Sequence, residues 1–404
     1  MKPVKTSLAL LLVSALLITP AAHGLAEPGR YIPVLAPVVE QSLSCSAAVL
    51  MDAGTGEVLL NRQGDERRAI ASVTKLMTML LVLEAAQDGR IQMSDEVVAT
   101  PHACSYGGSQ IYLEPGERFT VQEMLMAVSI KSANDAAIAL AEHVAGSEAA
   151  FVALMNKRAE ELGMTNTNFI NACGLDDISA AGMPGDKGYS SAVDVAIMSR
   201  AVLRFQPLLR DWLTTRITYL QRASGPVELF NTNHRFLRNF QGADGLKTGL
   251  TDEAGYCLSA TALRGGFRLI AVVLGAPSDE LRYQNVATLL NYGFANYVGK
   301  NLVQVGDELA TVGVNRGKER TVSAVAADDL AVLLKKGESL DAVERVAQVA
   351  EGLYAPITKG QRVGSLQLRK DGAVLGEVDL VAAEPVERLN YFGNLGRMFE
   401  NMFR

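Results

Sequence analysis

The chain has 404 residues, 49% hydrophobic and 20% charged, a globular composition that excludes a disordered chain and suggests two or three domains. A formal net charge of -6 and the lack of a long basic run argue against a nucleic-acid partner. Neither GxxxxGK-S/T nor HExxH occurs, so phosphate transfer and zinc-peptidase chemistry lose their usual markers.

The first stretch, MKPVKTSLALLLVSALLITPAAHGLAEPG, carries Lys2 and Lys5, an apolar run from Leu8 to Ile18 and small residues from Ala22 to Ala26. That is the plan of a secretory signal peptide over residues 1–26, cut after Gly24 or Ala26. The apolar run is short for a membrane span. The mature chain is therefore expected to be exported and to work outside the cytoplasmic membrane. Cys45, Cys104, Cys173 and Cys257 are widely spaced, with no CxxC, which speaks against a metal site. They read as free thiols acting as small hydrophobes. His102, His143 and His234 lie beyond the signal, but no GxSxG marks a Ser-His-Asp triad.

Glu27 to Pro37 is Pro-rich and reads as extended. SAAVLMDAGTGEVLLNR then predicts two strands around Gly54-Thr55-Gly56. A helix is predicted to start at Ser72, with an apolar stripe through Leu76, Met79, Leu80 and Leu83, and to end near Gly89. Tyr106, Gly107 and Gly108 read as a loop, either over a cleft or on plain surface. Thr120 and Glu123 form a capping box before another apolar helix. Further helices are expected at Asp135–Val144, Glu148–Leu162 and Ser191–Arg204. Residues 176–191 between the last two read as a mobile surface loop, and Trp212 reads as packing.

The pattern then changes. Ala254–Ala262 and Phe267–Gly275 have strand character and are joined by Arg264-Gly265-Gly266, a hairpin signal. LRYQNVATLLNYGFANY closes the unit as a helix. Strands come first and last, with helices between. This predicts the α/β (α+β) class, with an antiparallel sheet flanked by helices. From about Asn301, short alternating stretches such as TVSAVAA, GSLQLRK and AVLGEVDLVA predict a small β-rich domain. In the last segment, VERLNYFGNLGRMFENMFR, Leu389, Tyr391, Phe392, Leu395, Phe399 and Phe403 gather on one half of a helical wheel. Asn390, Asn394, Arg397, Glu400 and Arg404 fill the other half. This is an amphipathic helix suited to lying in a membrane surface.

The chemistry centres on AIASVTKLMTML, where Ser72 and Lys75 share one helix face three residues apart. A lysine at its ordinary pKa is a poor base at neutral pH. Burial beside another cation lowers that pKa and frees the amine to take a proton. Two more stretches supply partners. Ser132 and Asn134 sit at a break between helices in IKSANDAA, and Lys247, Thr248 and Gly249 enter the strand region in DGLKTGLTDEAGY. An SxxK alone is weak, with roughly one or two expected by chance in such a chain. The three motifs in this order, in an exported chain, make a functional set.

SxxK, SxN and KTG mark penicillin-interacting serine enzymes. KSANDAA and DGLKTGLTDEAGYCLSATA resemble the D-alanyl-D-alanine carboxypeptidases, the low-molecular-weight penicillin-binding proteins typified by penicillin-binding protein 5. Ser-Ala-Asn stands here where class A β-lactamases have Ser-Asp-Asn. The resemblance continues through ELGMTNTNFINACGLDD and YSSAVDVAIM, spans Ser44 to about Tyr297, and extends more loosely through YAPITKGQRVGSLQL to the amphipathic end. It implies a serine DD-peptidase domain over 27–298, a β-rich domain over 299–384 and a membrane-anchoring helix over 385–404, at the outer face of the cytoplasmic membrane.

The resemblance also implies a mechanism without cofactor or metal. Ser72 attacks the penultimate D-alanine carbonyl of a peptidoglycan stem pentapeptide, and Lys75 accepts its proton. The N–H groups of Ser72 and Leu250 form the oxyanion hole. Asn134 orients the substrate amide, and Ser132 relays a proton to the leaving amine. Lys247 and Thr248 hold the terminal carboxylate, Lys247 helps depress the Lys75 pKa, and Gly249 lets backbone pass close to the ligand. β-Lactam antibiotics acylate Ser72 in the same way. The family's further arginine is sought in FNTNHRFLRNF, at Arg235 or Arg238, with Thr232 standing where it would be. His234 is not assigned to catalysis. The rivals are a β-lactamase, for which Glu160 and Glu161 lie in a continuing helix, a DD-endopeptidase, and a non-catalytic wall-binding protein.

Overall fold

The computed structural model describes residues 37–176, 178–182, 185–340, 343–370, 372–390 and 393. The expected signal peptide, most of the Pro-rich approach and most of the terminal amphipathic segment lie outside these residues.

Helix α1 (Pro37–Ser42) leads into strands β1 (Ala47–Asp52) and β2 (Val58–Arg62), paired antiparallel as expected. Asp52 accepts the Gly54 and Thr55 amides at 3.2 and 2.9 Å and so shapes the turn between them. A 3-10 turn, Ala71–Thr74, precedes α2 (Lys75–Gln87). Strands β3 (Glu96–Val98) and β4 (Arg118–Thr120) pair around α3 (Pro101–Cys104). The predicted capping box opens α4 (Val121–Met126), which runs into a π-helical turn, Ala127–Lys131. Helices α5 (Asn134–Ala145), α6 (Glu148–Glu161) and α7 (Ala192–Leu203) follow close to expectation. Helix α8 (Gln206–Thr214), the hairpin β5 (Ile217–Leu220) and β6 (Val227–Phe230), and α9 (His234–Asn239) have no counterpart in the sequence reading. Strands β7 (Ala243–Thr251), β8 (Gly255–Arg264) and β9 (Phe267–Ala276) then precede α10 (Asp279–Asn296). Gly265 and Gly266, at φ 57° and 81°, close the β8–β9 hairpin between the paired residues Arg264 and Phe267.

The central sheet is antiparallel, in the order β2-β1-β9-β8-β7. The first and last sequence blocks thus meet at β1 and β9, and β7 ends the sheet. Side chains alternate with period two. Ala47, Val49 and Met51 enter the core shared with the helical block, while Ala48 and Leu50 face the core under α10. Burial on both faces explains why β1 and β9 read as nearly continuous apolar runs. Helix α2 departs from the predicted stripe, since every residue from Leu76 to Leu83 is buried. A helix apolar all round belongs inside a domain, and each such Leu or Met contributes roughly 2 kcal/mol of transfer free energy.

The expected β-rich unit follows. Strand β10 (Tyr297–Val303) pairs with β13 (Leu330–Lys335). Strands β11 (Glu308–Asn315), β12 (Thr321–Ala326), β14 (Val343–Val349), β15 (Leu353–Tyr354), β16 (Arg362–Lys370) and β17 (Ala373–Ala382) form one sheet in the order β14-β16-β17-β12-β11-β15. Its start at Tyr297 and end past 384 differ slightly from the expected 299–384. Residues 385–390 are extended, so the helix expected from 385 does not begin there. Val386 is buried and bridges Ile357, and Arg388 bridges Gly317. Backbone groups paired in this way are not available to a helical turn. Among the described residues no single helix is long and apolar enough to cross a membrane.

Candidate active site

The site lies where the start of α2, the start of α5 and the end of β7 meet. Ser72 sits in the 3-10 turn rather than capping α2, and no side-chain cap is formed. Ala71, just before it, has φ 47°, a left-handed conformation that costs an L residue about 1–2 kcal/mol. Lys75 is the first residue of α2 and fully buried. Its Nζ lies 2.9 Å from Ser72 Oγ and donates to the Cys173 carbonyl at 2.7 Å. Burial pushes the Lys75 pKa down to about 8, against smaller opposing contributions from Cys173 and Asp135. The amine is thus neutral in a useful fraction of molecules near neutral pH.

Ser132 lies between the π-helical turn and α5 at φ 67°, and is 3% exposed. The helix break read from the sequence is therefore a left-handed residue that reverses the chain. Asn134, the first residue of α5, is tied to the loop before β4. Its N–H donates to Ser109 O at 2.6 Å and its Nδ2 to Gly107 O at 2.6 Å. Asn134 Oδ1 has no hydrogen-bond partner although it is buried. Gly108, at φ 80°, passes so close that a Cβ there would stand 2.9 Å from Asn134 Nδ2.

The third wall is β7. Gly249 packs directly on the Ser72 turn, since an added Cβ would meet Ile70 O at 2.7 Å and Ala71 Cβ at 3.2 Å. Lys247 is buried, and its Nζ donates to the Thr248 carbonyl at 3.0 Å. Burial first, then repulsion from Lys75 and Arg282, holds its pKa well below the ordinary lysine value. Burial is the main cause of the lowered Lys75 pKa, and the repulsion between the two buried ammonium groups is mutual, pushing in the same direction at both. Thr248 Oγ1 donates to Thr232 Oγ1 at 2.9 Å, and Thr232 N–H donates to Ile130 O at 3.1 Å, linking β7 to the wall that carries Ser132. Leu250 turns its side chain to solvent, 54% exposed.

The arginine sought near β7 is at neither expected position. Arg235 pairs with Asp279 and Glu280, and Arg238 reaches Asn239. The strand is instead approached by Arg282 of α10, 5% exposed, whose guanidinium donates to the carbonyls of Gly249 and Cys257 at 3.3 Å each. Arg282 also pairs with Asp279. The sequence reading missed it because an arginine in the first turn of a helix gives no sign of which way it points. It also missed Cys173, which acts through a backbone carbonyl, and Asn171, whose Oδ1 accepts the Cys173 and Gly174 amides at 3.0 and 2.5 Å. All four cysteines are free, three of them buried, as read. Trp212 packs against the core, and His234 turns its ring to Phe230 and the Asn231 carbonyl. Among the described residues no three His, Cys, Asp or Glu side chains converge as metal ligands.

The sequence model of the D-alanyl-D-alanine carboxypeptidases matches residues 35–278, and that of the penicillin-binding protein 5 C-terminal domain matches residues 297–388. The chain is 40% identical over 394 residues to D-alanyl-D-alanine carboxypeptidase DacF of Bacillus subtilis (strain 168), covering 97% of each sequence. It is 32% identical to the carboxypeptidase DacC of Escherichia coli (strain K12), covering 92% of this chain and 94% of that one. Among solved structures it is similar to penicillin-binding protein 5 from Haemophilus influenzae, with a TM-score of 0.65 at 30% identity over 86% of this chain and 98% of that one. It is also similar to penicillin-binding protein D2 from Listeria monocytogenes in the ampicillin-bound form, with a TM-score of 0.55 at 33% identity over 63% of this chain and 98% of that one.

Proposed function

The chain belongs to the D-alanyl-D-alanine carboxypeptidase family, and from that premise we propose that Ser72 is the nucleophile and Lys75 the base of its reaction. It is a serine-type D-Ala-D-Ala carboxypeptidase, a cell-envelope hydrolase that acts on peptidoglycan and binds β-lactams. The observation that carries the assignment is the 2.9 Å contact between Ser72 Oγ and a fully buried lysine amine with its pKa near 8.

In this reading Lys75 takes the Ser72 proton as Oγ attacks the carbonyl of the penultimate D-alanine. The Cys173 carbonyl holds one Lys75 N–H and so aims the amine lone pair at Oγ. The N–H groups of Ser72 and Leu250 take the developing oxyanion. The free Oδ1 of Asn134 orients the substrate amide, and Ser132 passes a proton to the departing D-alanine. Lys247 and Thr248 hold the terminal carboxylate, with Arg282 adding positive field behind the strand. Water then releases the tetrapeptide from Ser72. A penicillin forms the same ester.

The β-lactamase alternative is not favoured. Two buried carboxylates of this region are engaged, Asp135 by the Ile111 and Leu113 amides and Glu148 by Ala172, Tyr106 and His102. Neither is left to activate a deacylating water. The endopeptidase alternative is likewise not favoured, as the relatives are named carboxypeptidases. The catalytic unit is taken to run from 27 to the end of α10. The signal peptide exports it, and the amphipathic end attaches it to the outer face of the membrane. Covalent labelling by a fluorescent penicillin, lost in Ser72→Ala, is the direct test, and persistent labelling rejects the nucleophile.

A further inference from the structure

One carboxylate outside the three motifs is bonded to two segments, around Ala172 and Tyr106, that adjoin the residues holding Lys75 and Asn134. Glu148, the first residue of α6, is 3% exposed. Its Oε1 accepts the Ala172 N–H at 3.0 Å. Its Oε2 accepts the Tyr106 hydroxyl at 2.6 Å and lies 2.8 Å from His102 Nε2, which closes the solvent side. The two ends lead to different parts of the site. The Ala172 carbonyl accepts Thr78 Oγ1 at 2.6 Å, and the next carbonyl, that of Cys173, accepts Lys75 Nζ. Tyr106 directly precedes Gly107, whose carbonyl accepts Asn134 Nδ2. Burial, together with its bond to Glu148, holds the Tyr106 hydroxyl well above its ordinary pKa, so it stays a donor. A buried carboxylate is expensive unless its lone pairs are met, and these donors meet them.

We propose that Glu148 is a positioning residue, a buried strut that sets the Cys173 carbonyl against Lys75 and the Gly107 carbonyl against Asn134. It keeps the base and the substrate-orienting amide in one relative geometry. The inference deepens the reading of Ser72 and Lys75 as nucleophile and base, and rests on it.

Stopped-flow acylation of the full chain by a fluorescent penicillin separates the initial binding constant from the acylation rate constant. Glu148→Ala is expected to lower the rate constant about 10²-fold, the cost of misplacing catalytic groups by about 1 Å, with little change in initial binding. Glu148→Gln keeps the side-chain shape and the acceptor for Ala172, and is expected to recover to within about tenfold of wild type. Asp52→Ala is the stability control. Asp52 is as deeply buried and accepts bonds from Gly54 and Thr55 in the β1–β2 turn, so its loss is expected to lower Tm and leave acylation of the folded protein unchanged. Should Glu148→Ala fail to fold, Tyr106→Phe removes one donor alone and is expected to slow acylation several-fold. A wild-type rate constant in Glu148→Ala, or in Tyr106→Phe where that is the variant available, overturns the strut. So does an effect confined to initial binding, no recovery in Glu148→Gln, or equal slowing in Asp52→Ala. Ser72→Ala keeps the two ideas apart. If it still labels, the nucleophile reading fails. If it is dead while Glu148→Ala is unimpaired, only the strut fails.

Discussion

Gly249 lies against the Ile70 carbonyl so closely that a Cβ at 249 would stand 2.7 Å from that oxygen. The obstacle is backbone, in the turn that carries Ser72, so it does not rotate away as a side-chain end would. Gly249→Ala is therefore expected to push β7 from the nucleophile. A displacement of about 1 Å predicts a fall of about 10²-fold in acylation by penicillin and in carboxypeptidase kcat/KM. Acylation kinetics and a crystal structure of the variant check this. Wild-type rates in Gly249→Ala would show that the closeness has no catalytic consequence.

Lys75 must be unprotonated to act as base. With its pKa lowered to about 8 by burial, acylation is expected to rise as pH increases through about 8 and then to level off. Lys75→Ala should lose roughly 10²-fold or more in the acylation rate constant and lose this limb of the profile. A rate independent of pH across this range, or unchanged labelling kinetics in Lys75→Ala, rejects the base assignment.

The parts of the site legible in the sequence are those whose chemistry sits in side chains at fixed spacing. Ser72 and Lys75 are one turn apart, and Lys247 to Gly249 lie on a strand announced by its apolar neighbours. What was hidden depends on direction or on backbone. The Cys173 carbonyl has no side-chain signature, and Glu148 reads as an ordinary acid in the first turn of a helix. Arg282 was invisible for a related reason, as its guanidinium was free to turn to solvent or to β7. Helix α2 read as an amphipathic stripe because its other face, also apolar, had no visible partner. That partner is the rest of the helical block, brought around it only by the tertiary fold.

The same lowered pKa makes stability depend on pH. The folded-state pKa of Lys75 is about 8 and its ordinary value 10.5, so the unfolded chain binds more protons between them. Stability is therefore expected to rise as pH increases from about 8 toward 10.5, by roughly 3 kcal/mol for Lys75, with Lys247 adding in the same direction. Urea unfolding at both ends of this window, in wild type and Lys75→Met, isolates the Lys75 share. Equal pH dependence in the two proteins would contradict the burial of a titrating amine at this position.

Arg282 is the cation expected to strengthen carboxylate recognition from behind β7. Arg282→Ala should raise KM for a D-Ala-D-Ala peptide by roughly several-fold, the loss of positive field behind β7 rather than of a contact with substrate, since its guanidinium is held by the Gly249 and Cys257 carbonyls and by Asp279. A substrate whose terminal carboxylate is amidated should be affected much less. The two substrates compared side by side decide the matter, and equal losses would assign Arg282 to holding α10 against the sheet.

The end of the chain gives a test in which position matters to a few residues. Val386 is buried and its N–H donates to Ile357 O at 2.9 Å, while Leu389 N–H donates to Arg316 O at 2.8 Å. Removal of residues 391–404 spares these contacts and is expected to give an active enzyme, with unchanged Tm, that leaves the membrane fraction. Removal from Val386 onward strips one buried valine, worth about 1.5–3 kcal/mol, and the bridges to Ile357 and Gly317. That longer deletion should lower the Tm of the β-rich unit while the unit bearing Ser72 still labels with penicillin. If the shorter deletion stays with membranes, the amphipathic end is not the anchor. If the longer one melts no lower than the shorter, the bridges seen at Val386 and Arg388 contribute nothing to that unit's stability.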